Sequence, residues 1–343
     1  MKVGLLTGGG DCPGLNAVIR AVVQSVTNEG GTCVGFIEGW RGLVKGMTRP
    51  LEVAETDGII ARGGTILGSS RTNPFKNAET DVPAVRQNFE ALGLDALVAI
   101  GGDDTLGVAH RLHKEYEMPM VGVPKTIDND LQVTDFTFGF DTAINIVTEA
   151  VDRIRTTAES HRRTMVVETM GRHAGWIACF SGIATAADYI CVPEIPIDIE
   201  HMAEVLKRQR AAGKNYNIVV VSEGAQFPDK GHSTVAAETD AFGHVRLGGV
   251  GNAVAELIEQ KTGFETRAVI LGHIQRGGSP TANDRILATR LGLGAAGLVL
   301  KRKFGTMVAL SGTKIIETTL AEGVASSKTL DLDYYKEAAT FFR

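Results

Sequence analysis

Two loops concentrate the groups that can act on a phosphate ester or anhydride. Gly101-Gly102-Asp103-Asp104-Thr105 closes the apolar run Ala96 to Ile100, and Pro124-Lys125-Thr126-Ile127-Asp128-Asn129-Asp130 follows the next apolar run. A glycine pair at the C-terminal end of a strand lets backbone N–H groups approach phosphate oxygens, and a helix starting there adds the positive end of its dipole. Asp103 is then placed to face Mg²⁺. Asp128 and Asp130 set two carboxylates two residues apart, one of them a candidate general base, with Lys125 and Thr126 beside them as donors to a developing negative charge. Either loop alone reads equally well as a tight turn of an α/β fold. Together they predict a phosphoryl-transfer site.

A third loop, Thr7-Gly8-Gly9-Gly10-Asp11-Cys12-Pro13-Gly14, follows the first apolar run. The helix expected from Gly14 would aim its N-terminus at whatever lies over this loop, which makes it a candidate phosphate cradle. It lacks the terminal Gly-Lys-Ser/Thr of a P-loop, and its glycines miss the spacing of a dinucleotide fingerprint.

The elements that must carry these loops are short apolar runs alternating with helical periodicity. The runs are Val3 to Leu6, Cys33 to Ile37, Ala96 to Ile100, Met120 to Val123, Met165 to Glu168, Ile218 to Val221 and Ala268 to Leu271. They predict a largely parallel α/β sheet. Leu15, Val18, Ile19, Val22, Val23 and Val26 form one helical stripe, and Ile144, Val147, Val151 and Ile154 form another. Glycine pairs at Gly30-Gly31, Gly63-Gly64 and Gly277-Gly278 mark changes of element. A domain boundary is expected near Phe138-Gly139-Phe140, with Asp141-Thr142 supplying a helix N-cap.

At 343 residues the chain is long enough for two domains, and its net charge of -5, without a basic block, argues against nucleic-acid binding. Cys12, Cys33, Cys179 and Cys191 lack metal-type spacing and are expected as reduced structural thiols. The start Met1-Lys2-Val3-Gly4-Leu5-Leu6 reads as a strand rather than a signal peptide, and no run approaches the roughly 20 apolar residues that span a bilayer. The expectation is a soluble cytoplasmic protein.

Further motifs extend the set: Gly63-Gly64-Thr65-Ile66-Leu67-Gly68-Ser69-Ser70-Arg71, Met170-Gly171-Arg172, Ser222-Glu223-Gly224 and Gly272-His273-Ile274-Gln275-Arg276-Gly277-Gly278-Ser279-Pro280. In their order and spacing, from the first strand to at least Asp284, the chain resembles the phosphofructokinase family. The resemblance implies two Rossmann-like domains with mainly parallel sheets: 1–139 plus 252–304 for the phosphoryl donor, 140–251 plus 305–343 for fructose 6-phosphate. It implies Asp128 as the base toward the sugar 1-hydroxyl, Asp103 as the Mg²⁺ carboxylate, and Arg172 as the cation facing the transferring phosphoryl group. Thr126, Met170, Gly171 and Glu223 match sugar contacts, and His273 and Arg276 match the 6-phosphate end. Gly10 and Arg71 match donor-side positions. Arg163 and Arg267 match arginines that reach into a neighbouring subunit, which implies a homodimer or homotetramer.

The donor follows from two positions. ATP-dependent bacterial members of the family usually carry glycine where this chain has Asp104 and Lys125, and the diphosphate-dependent members resemble this chain. A carboxylate at 104 would meet the α-phosphate of a nucleotide. Two like charges about 4 Å apart repel by roughly 4 kcal/mol at an effective dielectric near 20, or about three decades of affinity. Lys125 can supply charge stabilisation to the phosphoryl group in transit; the plainer alternative is a salt bridge to Asp104. The expected activity is reversible transfer from diphosphate to fructose 6-phosphate, with an ATP-dependent 6-phosphofructokinase and a non-catalytic sugar-phosphate sensor as alternatives. The family's basic effector pocket is only partly kept, with Arg20, Arg155 and Lys214 present and Gln24, Val53 and Ala212 in place of commonly basic residues.

Overall fold

The computed structural model of the chain describes residues 1–228 and 248–342. It contains two compact units, each built on its own sheet. The first comprises Met1–Thr142 and Arg276–Ser327; the second takes residues 143–228, 248–275 and 328–342.

The first unit holds β1 (Lys2–Thr7), β2 (Thr32–Phe36), β3 (Thr48–Leu51), β4 (Ala96–Gly101), β5 (Met120–Pro124), and two late strands in one seven-stranded sheet. The second unit holds β6 (Thr164–Thr169), β7 (Tyr189–Cys191), β8 (Asn217–Ser222) and β9 (Thr266–Ile270) in a four-stranded sheet. The late strands of the first sheet are β10 (Thr306–Ser311) and β11 (Lys314–Thr319).

Strand order in the first sheet is β11-β10-β5-β4-β1-β2-β3. All pairs from β10 to β2 are parallel, and the edge strands β11 and β3 are antiparallel. Burial explains the difference. β4 and β5 are buried at every position, as central strands covered on both faces must be, whereas β11 is mostly exposed. Helices supply the covering layers, and a core of Leu6, Phe36, Trp40, Leu97, Leu106 and Met307 fills the space between helix and sheet. Gly4 in β1 admits this packing, since a Cβ there would lie 2.7 Å from the Leu97 side chain.

The second sheet runs β7-β8-β6-β9, all parallel. In both sheets the strand order reverses: between β1 and β4 in the first, between β6 and β9 in the second. Loops leaving the carboxyl ends of strands that flank such a reversal diverge to opposite faces and leave a crevice, the usual ligand position in open α/β sheets.

The seven expected runs all form strands, and both helical stripes lie on helices, Leu15–Asn28 and Phe140–His161. Three details differ from the sequence reading. The short β7 and the strands β3, β10 and β11 were not anticipated. The second helix starts at Phe140, so Asp141 and Thr142 lie within its first turn rather than capping it. Their side chains are used elsewhere: Thr281 Oγ1 donates to Asp141 Oδ2 at 2.5 Å, and Thr142 Oγ1 donates to buried Asp284 Oδ2 at 2.6 Å.

The third difference is the division of the chain. Residues 252–275 belong to the second unit because β9 pairs with β6, and residues 305–327 belong to the first because β10 pairs with β5. Residues 229–247, placed by the sequence division with the sugar domain, lie outside the described residues. Among the described residues no helix is long and apolar enough to cross a membrane.

Candidate active site

In the first unit, three loops leave the carboxyl ends of the neighbouring strands β1, β4 and β5. Between them they hold Gly10, Asp103, Asp104, Lys125, Thr126 and Asp128. The Gly8 amide donates to Ile100 O at 2.9 Å, and the Lys125 amide donates to Gly101 O at 3.0 Å, so the loops begin already tied across the sheet. A fourth segment, from Gly63 to Arg71, is laid against the first loop. Thr7 Oγ1 donates to Gly68 O at 2.8 Å, and Ser69 Oγ donates to Gly9 O. Exposed Arg71 ends that segment.

The glycines of these loops serve different needs. A Cβ at Gly8 would lie 2.4 Å from Thr105 Oγ1, and one at Gly101 would lie 2.3 Å from Thr105 Cβ. Both are therefore small because buried Thr105 fills the niche between β1 and β4, a packing reason additional to phosphate access. Gly9 has φ +76°, a conformation that L side chains rarely adopt. Gly10 faces an arginine: a Cβ there would sit 2.5 Å from Arg276 Nη1.

Asp103 and Asp104 occupy the first turn of the helix Asp103–Tyr116, where the macrodipole favours acidic groups; both are half-buried. Lys125 is buried to 3% exposure. Its ammonium donates to Gly10 O, beneath the first loop. Burial lowers its pKa below the usual lysine value, and the nearby Arg276 charge acts in the same direction, while Cys12 and the carboxylates of Asp128 and Asp130 oppose it. The adjacent Cys12 thiol is pushed up to about 12, chiefly by its own burial. Cys12, Cys33, Cys179 and Cys191 are all free and buried, as structural thiols.

Buried Asp128 sits in a loop that is braced from within. The Asp128 amide donates to Thr126 Oγ1 at 3.0 Å, Thr137 Oγ1 donates to Thr126 O at 2.7 Å, and the Thr137 amide donates to Asn129 Oδ1 at 3.1 Å. Asn129 itself stands at φ +51°, which its short polar side chain tolerates better than most.

Arg276 is placed differently from its expected partner His273. Arg276 belongs to the first unit, where Nη1 donates to Asp11 O at 3.2 Å and the guanidinium lies against Gly10. Exposed His273 belongs to the second unit, in the 3-10 turn Gly272–Arg276 that follows β9.

In the second unit the carboxyl ends of β6, β8 and β9 carry Met170-Gly171-Arg172, Glu223 and His273. The Glu223 amide donates to Thr169 O at 2.8 Å, continuing the ladder, and Glu223 Oε1 accepts the Arg172 amide at 3.1 Å. Gly171 has φ +141° and Arg172 φ +53°. A Cβ at Gly224 would lie 1.8 Å from Arg172 O, so the two turns stack backbone against backbone. A non-glycine residue held at positive φ stores of order 1 kcal/mol or more, a feature that concentrates at functional sites.

Arg163 and Arg267 are not brought to these loops. They stand at the amino ends of β6 and β9: Arg163 is seven residues, about 23 Å at the rise of a strand, before Met170, and Arg267 pairs with Met165, about 17 Å before it. Glu265 gathers them, with Oε1 accepting Arg163 Nη2 at 2.8 Å and Arg267 Nη2 at 2.7 Å. The Arg163 hydrogen bond is the main cause that holds the Glu265 carboxyl below its usual range.

Sequence reasoning missed Thr105, whose side chain sets two of the glycines, and Gln275, whose buried amide joins two loops of the second unit. Gln275 lies inside a motif already singled out, but its role needs the strand register to be visible.

Two mainly parallel sheets, each presenting charged loops at the carboxyl ends of strands beside a reversal of order, define an open-sheet α/β protein. Residues 2–299 match the phosphofructokinase family model, and the chain belongs to that family. It is 56% identical to a pyrophosphate--fructose 6-phosphate 1-phosphotransferase of Amycolatopsis methanolica, with all of both chains covered. It is 49% identical to ATP-dependent 6-phosphofructokinase 3 of Streptomyces coelicolor, over 98% of this chain and 99% of that one. Its fold matches phosphofructokinase from Saccharomyces cerevisiae at a TM-score of 0.82 and 33% identity, covering 94% of this chain and 45% of the yeast chain. The chain thus spans less than half the length of the yeast protein.

Proposed function

We propose that the protein transfers a phosphoryl group between diphosphate and the 1-hydroxyl of fructose 6-phosphate, forming fructose 1,6-bisphosphate reversibly. The observation that carries this reading is Lys125: a buried lysine whose ammonium donates to Gly10 O of the first loop. A small, highly charged donor suits such a site. A nucleotide would have to bring its α-phosphate toward Asp104 as well. The full-length relative at 56% identity points the same way, and the ATP-dependent relative at 49% is what makes the donor the point to test.

In this reading Asp128 accepts the proton of the 1-hydroxyl as that oxygen attacks phosphorus, and the internal bracing of its loop holds it in place. Arg172 faces the transferring phosphoryl group, and Lys125 stabilises charge on that group or on the departing phosphate. Thr126, Met170, Gly171 and Glu223 hold the sugar, His273 and Arg276 serve its phosphate end, and Gly10 and Arg71 serve the donor.

Mg²⁺ is the implied cofactor. Among the described residues no group of three or more His, Cys, Asp or Glu side chains forms a metal cage. The acidic first turn of the helix Asp103–Tyr116 suits Mg²⁺, which is commonly held by one or two carboxylates together with substrate phosphates and water. Asp103 is the carboxylate for it. When bound, the ion neutralises charge on the diphosphate oxygens.

Arg163 and Arg267 lie at the far ends of β6 and β9 from the loops of their own chain, which suits service to a neighbouring copy in a homodimer or homotetramer. The partial effector set is already engaged within the chain. Arg20 pairs with Asp57 at 3.0 Å, Lys214 pairs with buried Asp188, and Arg155 donates to Thr185 O. Anionic regulators therefore meet cations that have partners.

The anhydride of diphosphate is closer in energy to the sugar ester than that of ATP, so the reaction is expected to run both ways. Incubation of the enzyme with fructose 1,6-bisphosphate, phosphate and Mg²⁺ should produce diphosphate. Formation of fructose 6-phosphate by hydrolysis without diphosphate would overturn the assignment.

A further inference from the structure

The parallel ladder between β6 and β9 runs out just where the second unit's functional loops begin. Its last rungs pair Glu168 with Ile270 and pass the Leu271 amide to Glu168 O at 3.1 Å. One step further, a continuing register would pair Met170 with Gly272 and send the Met170 amide to a backbone carbonyl of the β9 chain. That chain turns away instead, with Gly272 at φ +51° opening the 3-10 turn that contains His273. The missing rung is supplied by a side chain. Gln275, fully buried, accepts the Met170 amide on Oε1 at 3.3 Å and donates from Nε2 to Gly272 O at 3.1 Å. With Glu223 holding the Arg172 amide, both amides flanking Gly171 are then fixed by side-chain oxygens.

We infer that Gln275 is a positioning residue for the sugar phosphate: it locks the Met170–Arg172 turn to the His273 turn, so that the groups meeting the sugar and those meeting its phosphate keep a fixed separation. This rests on the sugar-phosphate reading of the second unit. It differs from that reading in naming a residue that touches no substrate and acts through two backbone groups.

Three measurements on the full-length enzyme test it. Gln275→Met keeps the volume and removes both hydrogen bonds. It is expected to raise KM for fructose 6-phosphate about tenfold, the equivalent of one hydrogen bond at 1.4 kcal/mol per decade. KM for diphosphate should stay within twofold. Amide hydrogen exchange without substrate should show faster exchange at Met170. Gln275→Glu offers an isosteric rescue: a protonated carboxyl accepts from Met170 and donates to Gly272 O, whereas an ionised one loses the donor. Its KM for fructose 6-phosphate, taken relative to wild type, should be near one at acid pH and rise with pH. Parallel increases in both KM values, or faster Met170 exchange with unchanged KM for fructose 6-phosphate, would overturn the inference. Exchange reads the Gln275 contact without turnover, so failure of wild type to use diphosphate would count against the proposed reaction alone.

Discussion

The two units solve the same topological problem with opposite chemistry. Each places its loops at the carboxyl ends of parallel strands beside a reversal of strand order. In the first unit the candidate site holds a buried lysine, and the loops are fixed by tight packing: Thr105 between Gly8 and Gly101, Arg276 against Gly10. In the second the ligand-facing groups are half-buried or exposed, and the loops are fixed by side chains that borrow backbone amides, Glu223 on Arg172 and Gln275 on Met170. In the proposed reading, the contrast sets what each candidate site would select. A desolvated cation in a packed niche favours a compact anion of high charge density, where low dielectric strengthens the attraction. Open loops held at defined spacing favour a longer ligand recognised at several points.

The contrast can be broken first at Lys125. Lys125→Met is expected to reduce kcat/KM for diphosphate by roughly 10²–10³, the scale of one lost charge-stabilising donor, with fructose 6-phosphate affinity changed little. An amine with a lower pKa in the folded state than in the unfolded state binds its proton less tightly when folded, so below that pKa its charge subtracts from stability. The same variant should therefore melt at a higher temperature than wild type while losing activity. In wild type, activity should decline as pH rises through the lowered lysine pKa, earlier than an ordinary lysine would allow. A variant that melts lower and keeps its diphosphate kinetics would remove the buried cation from the account.

A smaller effect sharpens the description of the first unit. Asp284 ties the start of the helix Phe140–His161 to the helix Ala282–Leu300, and its pKa is raised from 3.8 to about 6, chiefly by burial. A carboxyl whose pKa rises on folding favours the protonated native state. Its contribution is fully present below about pH 4 and is lost as pH rises through about 6, a change of about 3 kcal/mol at 1.36 kcal/mol per pKa unit. Urea midpoints measured from pH 4 to pH 7 should fall in wild type, and this component of the fall should vanish in Asp284→Asn. Equal slopes in both proteins would show that Asp284 does not titrate in that window.

Much of this was legible in the sequence. Continuous apolar runs gave the seven strands, and the full burial of β4, β5, β6 and β8 shows why such runs need no alternation. The glycine- and aspartate-rich loops were recognisable because their chemistry is local. What stayed hidden depends on contacts distant in the chain. Gly8 and Gly101 read as phosphate-approach glycines until Thr105 is seen between them. Arg276 reads as part of the His273 motif, and its contacts with Asp11 O and Gly10 appear only in the fold. The edge strand β11 lacks a buried stripe, and β7 is three residues long, so neither leaves a periodic signal. Asp141 and Thr142 have cap-type side chains, but their partners are Thr281 and Asp284, some 140 residues away.

The donor is the central claim, and it is most directly tested by initial rates with fructose 6-phosphate and Mg²⁺, comparing diphosphate with ATP in wild type and in Asp104→Gly. The account predicts turnover with diphosphate and none with ATP in wild type, and a gain of ATP use when the carboxylate is removed. Wild-type turnover with ATP at the rate seen with diphosphate, unchanged by the substitution, would contradict it.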